Sequence, residues 1–155
     1  MTGPDRSASS GGRTISVPSR LFGPLQVAED SCIRFPEGLL GFAGDRRFVL
    51  LPATEDGIFW LQCLEDGALI FLVVDPFRHF PDYAVEVPEE PESADQVGVF
   101  TIVTLPGMDG QLPTTNLQGP LIIDFRSRSG RQQIIQNGSW TTKHPVHLLG
   151  AGSSA

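Results

Sequence analysis

Short apolar runs closed by turn residues restrict the fold of this chain more than any other feature of its sequence. The 155 residues include 17 Gly and 13 Pro, which separate runs rich in β-branched and aromatic side chains. Such runs are typical of strands between tight turns, whereas long helices are disfavoured. The sequence predicts about nine strands, at residues 21–27, 31–35, 47–51, 59–64, 69–74, 84–87, 97–105, 119–126 and 131–136.

The predicted strands favour a closed antiparallel arrangement. Asp66-Gly67 and Ser129-Gly130 lie between apolar runs, and both predict hairpins because Gly tolerates the positive φ of a tight reversal. Residues 69–74 are apolar throughout, which predicts a central strand covered on both faces. Since exposed strand edges must be paired or covered, the expected fold is all-β: a small antiparallel β-barrel or a closed two-sheet sandwich with little helix. At most one short acidic helical turn is expected, at 89–95.

The two ends of the chain differ from the middle in composition. Residues 1–18 and 150–155 are dominated by small and polar residues, so we expect flexible ends around a single domain at 19–149. No apolar run reaches the length of a membrane span, and the N-terminus has no apolar signal core, so we expect a cytoplasmic protein with no membrane partner. Cys32 and Cys63 lie in apolar runs and are expected to be buried, reduced thiols.

Negative charge is concentrated in the middle third of the chain. Residues 48–109 contain twelve Asp and Glu against one base, Arg78, and the whole chain carries a formal charge of -7. Such a segment repels nucleic-acid phosphates and attracts basic surfaces, although ordinary solvation is the alternative explanation of each acid singly. The leading candidates as a group for contact with a basic partner are five acids with no intervening base: Glu86, Glu89, Glu90, Glu92 and Asp95.

No motif in the sequence favours catalysis or a cofactor. His144 and His147 are three residues apart, but Pro145 between them argues against a helix that would align them on a metal. No Gly-x-Ser-x-Gly elbow occurs, and the paired acids lie in predicted turns, where water keeps their pKa values ordinary. We therefore expect no catalytic, metal-binding or cofactor-binding residue. Direct nucleic-acid binding is also not expected, because the acidic segment opposes the few bases near the C-terminus.

Residues 75–77 follow the most apolar predicted strand. Asp75 is expected to cap a turn whose φ is set by Pro76. Phe77 and Phe80 are candidate partner contacts if their rings are exposed, because aromatic side chains often anchor interfaces. A purely structural role in the turn is the alternative.

Several motifs occur in a characteristic order along the chain. They are FPEGLLGF at 35–42, FVLL at 48–51, VDPF at 74–77, DY at 82–83, Thr104, NLQGPLII at 116–123 and TKHP at 142–145. In their order and spacing, from about residue 22 to about residue 147, they resemble the flagellar assembly factor FliW family. Each motif alone is weakly specific, and together they cover most of the predicted domain.

The resemblance implies a non-enzymatic regulator. Members of this family bind CsrA, a small RNA-binding dimer, and prevent it from repressing translation, and they alternately bind flagellin. The resemblance also implies that the region after residue 141 faces a partner, which adds Lys143 and His144 to the candidate contacts. A flagellin-specific secretion chaperone is the alternative function. Apolar surface exposed near Phe77, Phe80 and Tyr83 would favour the chaperone, and an acidic surface with little apolar area would favour the antagonist.

Overall fold

The chain folds into thirteen short strands and two short helical turns in the part that the structure describes. The computed structural model describes residues 13–85, 96–107, 111–136 and 140–148, and the elements below are those of the described residues. The strands are β1 (Thr14–Ser19), β2 (Gly23–Ala28), β3 (Ile33–Phe35), β4 (Gly38–Leu39), β5 (Phe42–Ala43), β6 (Arg46–Pro52), β7 (Ile58–Cys63), β8 (Ile70–Val74), β9 (Val97–Thr104), β10 (Thr114–Thr115), β11 (Leu121–Asp124), β12 (Ser129–Gln132) and β13 (His144–Pro145). The helices are a 3-10 turn at Glu29–Ser31 and α1 at Pro76–His79.

Seven strands form the barrel, in the order β11-β12-β3-β6-β7-β8-β9, and β9 returns to pair with β11. The closing pairs run from Leu121 opposite Phe100 to Asp124 opposite Val97. Among these seven, the β12–β3 pair is parallel and the others are antiparallel. β10 continues along the same edge of β9 and carries β13 on its other side. The expectation of an all-β fold closed as a barrel is confirmed.

Successive side chains of a strand point to opposite faces of the sheet, so the apolar residues are divided between the barrel core and an outer layer. In β6, Phe48 and Leu50 point into the barrel core, while Val49 and Leu51 point outward. The outward pair is covered by the β1–β2 hairpin, whose Val17 is fully buried against it. Because a strand with two apolar faces must be covered on both, the hairpin forms an outer layer over this part of the barrel.

The N-terminal boundary lies earlier than the sequence suggested. Residues 1–18 were expected to be a flexible tail, but Thr14–Ser19 forms β1, which pairs with β2 over its whole length. Burying a valine side chain stabilises by about 1.5–3 kcal/mol, so Val17 alone contributes substantially to holding the strand. Ser19 adds a buried hydrogen bond from its Oγ to Gln62 Oε1 at 2.6 Å.

Other predicted strands are confirmed in type but differ at their ends. The first begins at Gly23 rather than residue 21, because residues 20–22 form the turn of the β1–β2 hairpin. The predicted strand at 84–87 is wrong for residues 84 and 85, which are not in a strand, and residues 86–87 lie outside the described residues. Regular pairing of the last predicted strand ends at Gln132. The helical turn expected at 89–95 also falls outside the described residues.

The two predicted hairpins and the central strand are confirmed. β7 pairs antiparallel with β8, and β11 with β12. The inward side chains of β8 join the barrel core, whereas Leu72 and Val74 belong to an outer cluster with Val103. The reason given for the two hairpins is wrong, because neither Gly67 nor Gly130 has a positive φ, and in the second hairpin the positive φ of 62° falls on Arg128. In the described part of the chain, no helix has the length and apolar character needed to cross a membrane.

Candidate partner-binding surface

A single helical turn directly after β8 presents an exposed aromatic ring. Asp75 caps α1 by accepting a hydrogen bond from the Phe77 amide at 3.0 Å, and Pro76 occupies the first turn. The Asp75 amide donates to the Gly57 carbonyl at 2.8 Å, which fixes the turn to the β6–β7 connection. The expected capping role of Asp75 is confirmed. Phe77 is 44% exposed, so its ring is available for contact.

Phe77 is the outermost member of an aromatic cluster made of Phe77, Phe80, Tyr83, Trp140 and His144. Ring centroids lie 5.9 Å apart for Phe77 and Tyr83, 5.2 Å for Tyr83 and Trp140, and 5.2 Å for Phe80 and His144. The last two pairs are edge-to-face, a geometry that adds about 0.5–1.5 kcal/mol per pair beyond burial. The cluster joins the segment after β8 to the segment that leads into β13.

Tyr83 anchors the aromatic cluster to the barrel. Its side chain is 3% exposed, and its Oη donates a hydrogen bond to the Leu117 carbonyl at 2.7 Å. The Leu117 amide donates in turn to the Thr141 carbonyl at 2.9 Å. Burial raises the pKa of Tyr83 to about 12 because the phenolate would lose its hydration. The phenol is therefore a fixed donor at neutral pH.

His79 lies beside the cluster with a buried ring nitrogen. Its Nε2 is shielded from solvent and has no hydrogen-bond partner among the described residues. Burial lowers the pKa of His79, the charges of Arg78 and His147 lower it further, and Asp75 acts in the opposite direction. Among the residues that the structure describes, no group of three His, Cys, Asp or Glu side chains is placed to hold a metal ion.

The segment at 143–146 is partly exposed and partly bound in the sheet. Lys143 is exposed and His144 is half-buried, and β13 pairs with β10 through His144 and Pro145. Val146 is 1% exposed, and its amide donates to the Pro113 carbonyl at 2.9 Å. Lys143 is thus held at the border of the aromatic cluster by a chain that is itself fixed in the fold.

The structure brings together part of the predicted site. Phe77, Phe80 and His144 share the cluster, and Lys143 precedes His144 in the chain. Trp140 belongs to the cluster too, but sequence reasoning did not propose it, because only the folded chain brings residue 140 to residues 80 and 83. The five acidic candidates lie outside the described residues: Glu86, Glu89, Glu90, Glu92 and Asp95.

The described residues are almost neutral as a set. They contain ten Lys and Arg and eleven Asp and Glu, compared with 11 and 18 in the whole chain. Two ion pairs join exposed side chains of the barrel, Arg34 with Asp45 and Arg47 with Glu65. Most of the formal charge of -7 is therefore carried by residues 86–95, which connect Val85 to Gln96.

Comparison with known proteins gives one consistent result. The family model described as FliW protein matches residues 16–146. The chain is 33% identical to the flagellar assembly factor FliW of Treponema denticola, over 85% of this chain and 93% of that protein. It is 37% identical to the FliW of Moorella thermoacetica, over 85% and 88%.

A solved structure agrees with the sequence comparison. The crystal structure of the flagellar assembly factor FliW superposes with a TM-score of 0.74 at 28% identity, and the match covers 84% of this chain and 95% of that one. Residues 16–146, which the family model matches, include the barrel, most of the β1–β2 hairpin and the aromatic cluster. The resemblance inferred from the motifs is confirmed, and the chain belongs to the FliW family.

Proposed function

We propose that this protein is a non-enzymatic, cytoplasmic regulator of flagellar assembly. It binds a CsrA-type RNA-binding protein and prevents it from repressing translation, and it alternately binds flagellin. Membership in the FliW family supports the assembly role. Regulation follows from linkage, because a molecule occupied by one partner is removed from the other without covalent chemistry.

The observation that carries the proposal is the position of the acidic segment in the chain. Five carboxylates without a base lie between Val85 and Gln96, and the segment begins three residues after the buried anchor Tyr83. An RNA-binding dimer must carry a basic surface, and opposite charge speeds the encounter of two proteins. We infer that the acidic segment attracts the basic partner while the adjoining aromatic cluster supplies apolar contact.

A charge-reversal experiment tests this assignment. Glu89→Lys with Glu90→Lys should slow association with the CsrA-type dimer about tenfold, and wild-type affinity should fall steeply with added salt. Glu29→Lys with Asp30→Lys is the matched control, since it changes the charge equally at two exposed acids of the 3-10 turn, which contributes no residue to the aromatic cluster. Surface plasmon resonance at low and high salt gives both rates. Equal effects of the two double variants, or an affinity that salt does not change, would refute the acidic segment as the contact.

A secretion chaperone for flagellin is the second candidate function, and the exposure of Phe77 favours it. The ring is 44% exposed, whereas Phe80 is half-buried and Tyr83 is buried. Phe77→Ser should weaken flagellin binding more than CsrA binding if the two partners use different parts of this surface. Pull-down of each partner with the variant measures the difference. Export of flagellin that fails while CsrA is still antagonised would support the chaperone.

A further inference from the structure

A concave site lies where β2 of the hairpin meets the barrel. The cavity has a volume of about 340 Å³ and shares no residue with the aromatic cluster. Cavities of about 300–1,000 Å³ are the usual size of small-molecule sites. We call it the hairpin slot and define it by its wall residues Leu25 and Val27 of β2, Val49 and Leu51 of β6, and Phe125.

The wall of the hairpin slot is apolar and incompletely covered by the protein. Leu25, Leu51 and Phe125 are only half-buried, although Leu25 and Leu51 pack in the cluster between hairpin and barrel. An apolar ligand in the slot would remove these side chains from water, which is favourable. A polypeptide backbone inserted between such walls would lose hydration of its amides, so the lining favours a hydrocarbon chain or ring.

One cation lies at the mouth of the hairpin slot. Arg128 lines the cavity and is exposed, and within the described ranges its guanidinium has no ion pair. Gln26, also at the slot, already donates from Nε2 to Ser16 Oγ at 3.1 Å. Burial raises the pKa of the nearby Cys32 thiol, and the positive charges of Arg47 and Arg128 oppose that rise while Glu29 adds to it.

The backbone of Arg128 has an uncommon conformation. Its φ of 62° makes it the one non-glycine residue with positive φ among the residues described. The turn is held by hydrogen bonds from the Arg128 amide to the Asp124 carbonyl at 2.8 Å and from the Arg34 amide to the Arg128 carbonyl at 2.9 Å. Gly or Asn suits this left-handed position better than Arg does. The turn geometry therefore does not require an arginine at this position.

We propose that the hairpin slot binds a small amphipathic carboxylate, with its apolar chain against Leu25, Leu51 and Phe125 and its carboxylate on the Arg128 guanidinium. The guanidinium fork matches a carboxylate with two parallel hydrogen bonds. The site goes beyond the proposed regulatory function, and its test is independent of either protein partner. The proposed ligand is a free acid, because the concave slot has room for one hydrocarbon chain beside a single guanidinium.

The test uses three probes of equal chain length with the full-length protein. Decanoate, decanol and decyltrimethylammonium are titrated below their aggregation limits, and binding is followed by calorimetry and by the rise of the thermal midpoint. We expect decanoate to bind at least tenfold more tightly than decanol, and the cationic probe to bind most weakly. Anionic lipid vesicles form a fourth arm, and binding to vesicles without binding of decanoate would overturn the proposal.

Two variants separate a binding role of Arg128 from a structural one. Arg128→Asn keeps a residue that tolerates the left-handed turn, so the thermal midpoint should stay or rise while decanoate affinity falls to that of decanol. Leu25→Trp should fill the slot and abolish binding of all three probes. Decanoate binding unchanged in Arg128→Asn, or a lower midpoint in that variant, would refute the proposal even if Leu25→Trp fails to fold.

Discussion

Replacing Tyr83 with Phe tests whether one buried hydrogen bond fixes the aromatic cluster to the barrel. The Tyr83 Oη donates to the Leu117 carbonyl at 2.7 Å, and the two residues are 3% and 0% exposed. The variant keeps the ring and its edge-to-face contact with Trp140, whose centroid is 5.2 Å away. Only the hydroxyl group is lost, so the variant isolates the hydrogen bond from the packing.

The expected cost follows from the burial of the acceptor. The Leu117 carbonyl would remain in place without its donor and without access to water, which costs about 1–3 kcal/mol of the free energy of unfolding. For a chain of this size each kcal/mol corresponds to about 2–4 °C in the thermal midpoint. The Tyr83→Phe variant should therefore unfold at a temperature lower by roughly 2–12 °C near neutral pH.

The stability of wild type and of Tyr83→Phe should also differ in how it depends on pH. Burial raises the pKa of Tyr83 from 10.0 to about 12, so the folded chain keeps a phenol proton that the unfolded chain releases. The resulting stabilisation is fully present below pH 10 and is lost as the pH rises from 10 towards 12. Phenylalanine has no such proton, so the stability difference between wild type and variant should shrink across this interval.

Urea unfolding followed by tryptophan fluorescence provides the assay, since Trp140 lies in the cluster itself. Phe77→Leu is the control, because that side chain is 44% exposed and makes no hydrogen bond that could be lost with the ring. The free energy of unfolding of this control should stay within about 0.5–1 kcal/mol of the wild-type value. The reasoning would be refuted if Tyr83→Phe had the urea midpoint of wild type and also lost stability above pH 10 as steeply as wild type does.

Two further predictions concern the core and the pH response at low pH. Gly130→Ala should lower the free energy of unfolding by about 1–3 kcal/mol, because the added Cβ would lie 2.6 Å from Cζ of the fully buried Phe35. Gly107→Ala meets no atom within 4 Å and should have little effect, and equal urea midpoints for the two variants would contradict this packing. Burial lowers the pKa of His79 from 6.5, so the unfolded chain binds the proton first and thermal stability should fall as the pH drops below 6.5. His79→Leu should remove that component of the pH dependence, and the prediction fails if the variant loses stability as wild type does.

Local patterns were sufficient for the parts of the fold that depend on neighbours in the sequence. The hairpin at Asp66-Gly67 and the doubly covered strand β8 were predicted correctly, because turn chemistry and continuous apolarity are properties of a few adjacent residues. β1 was not predicted, because its burial depends on residues that are distant in the sequence. Its two apolar residues, Ile15 and Val17, form a weak alternation, and they are buried by packing against the outward face of β6, which is distant in sequence.

The candidate surface shows the same division. Phe77 and Phe80 could be proposed from the motif that follows β8, and the capping role of Asp75 was predicted from the Asp-Pro pair. Trp140 could not be proposed, because its contact with Tyr83 spans more than fifty residues and requires the segment before β13 to return to the barrel. The signal that was available is the spacing of three aromatic residues at positions 77, 80 and 83.

The sequence by itself determined the all-β class, because turn residues and strand patterns are properties of a few adjacent residues. The order of motifs along the chain was enough to identify the family. Tertiary structure decided which faces are covered, where the barrel closes, and that Tyr83 is an anchor while Phe77 is exposed. Those properties depend on burial, and burial is set by strands that are distant in sequence and adjacent in space.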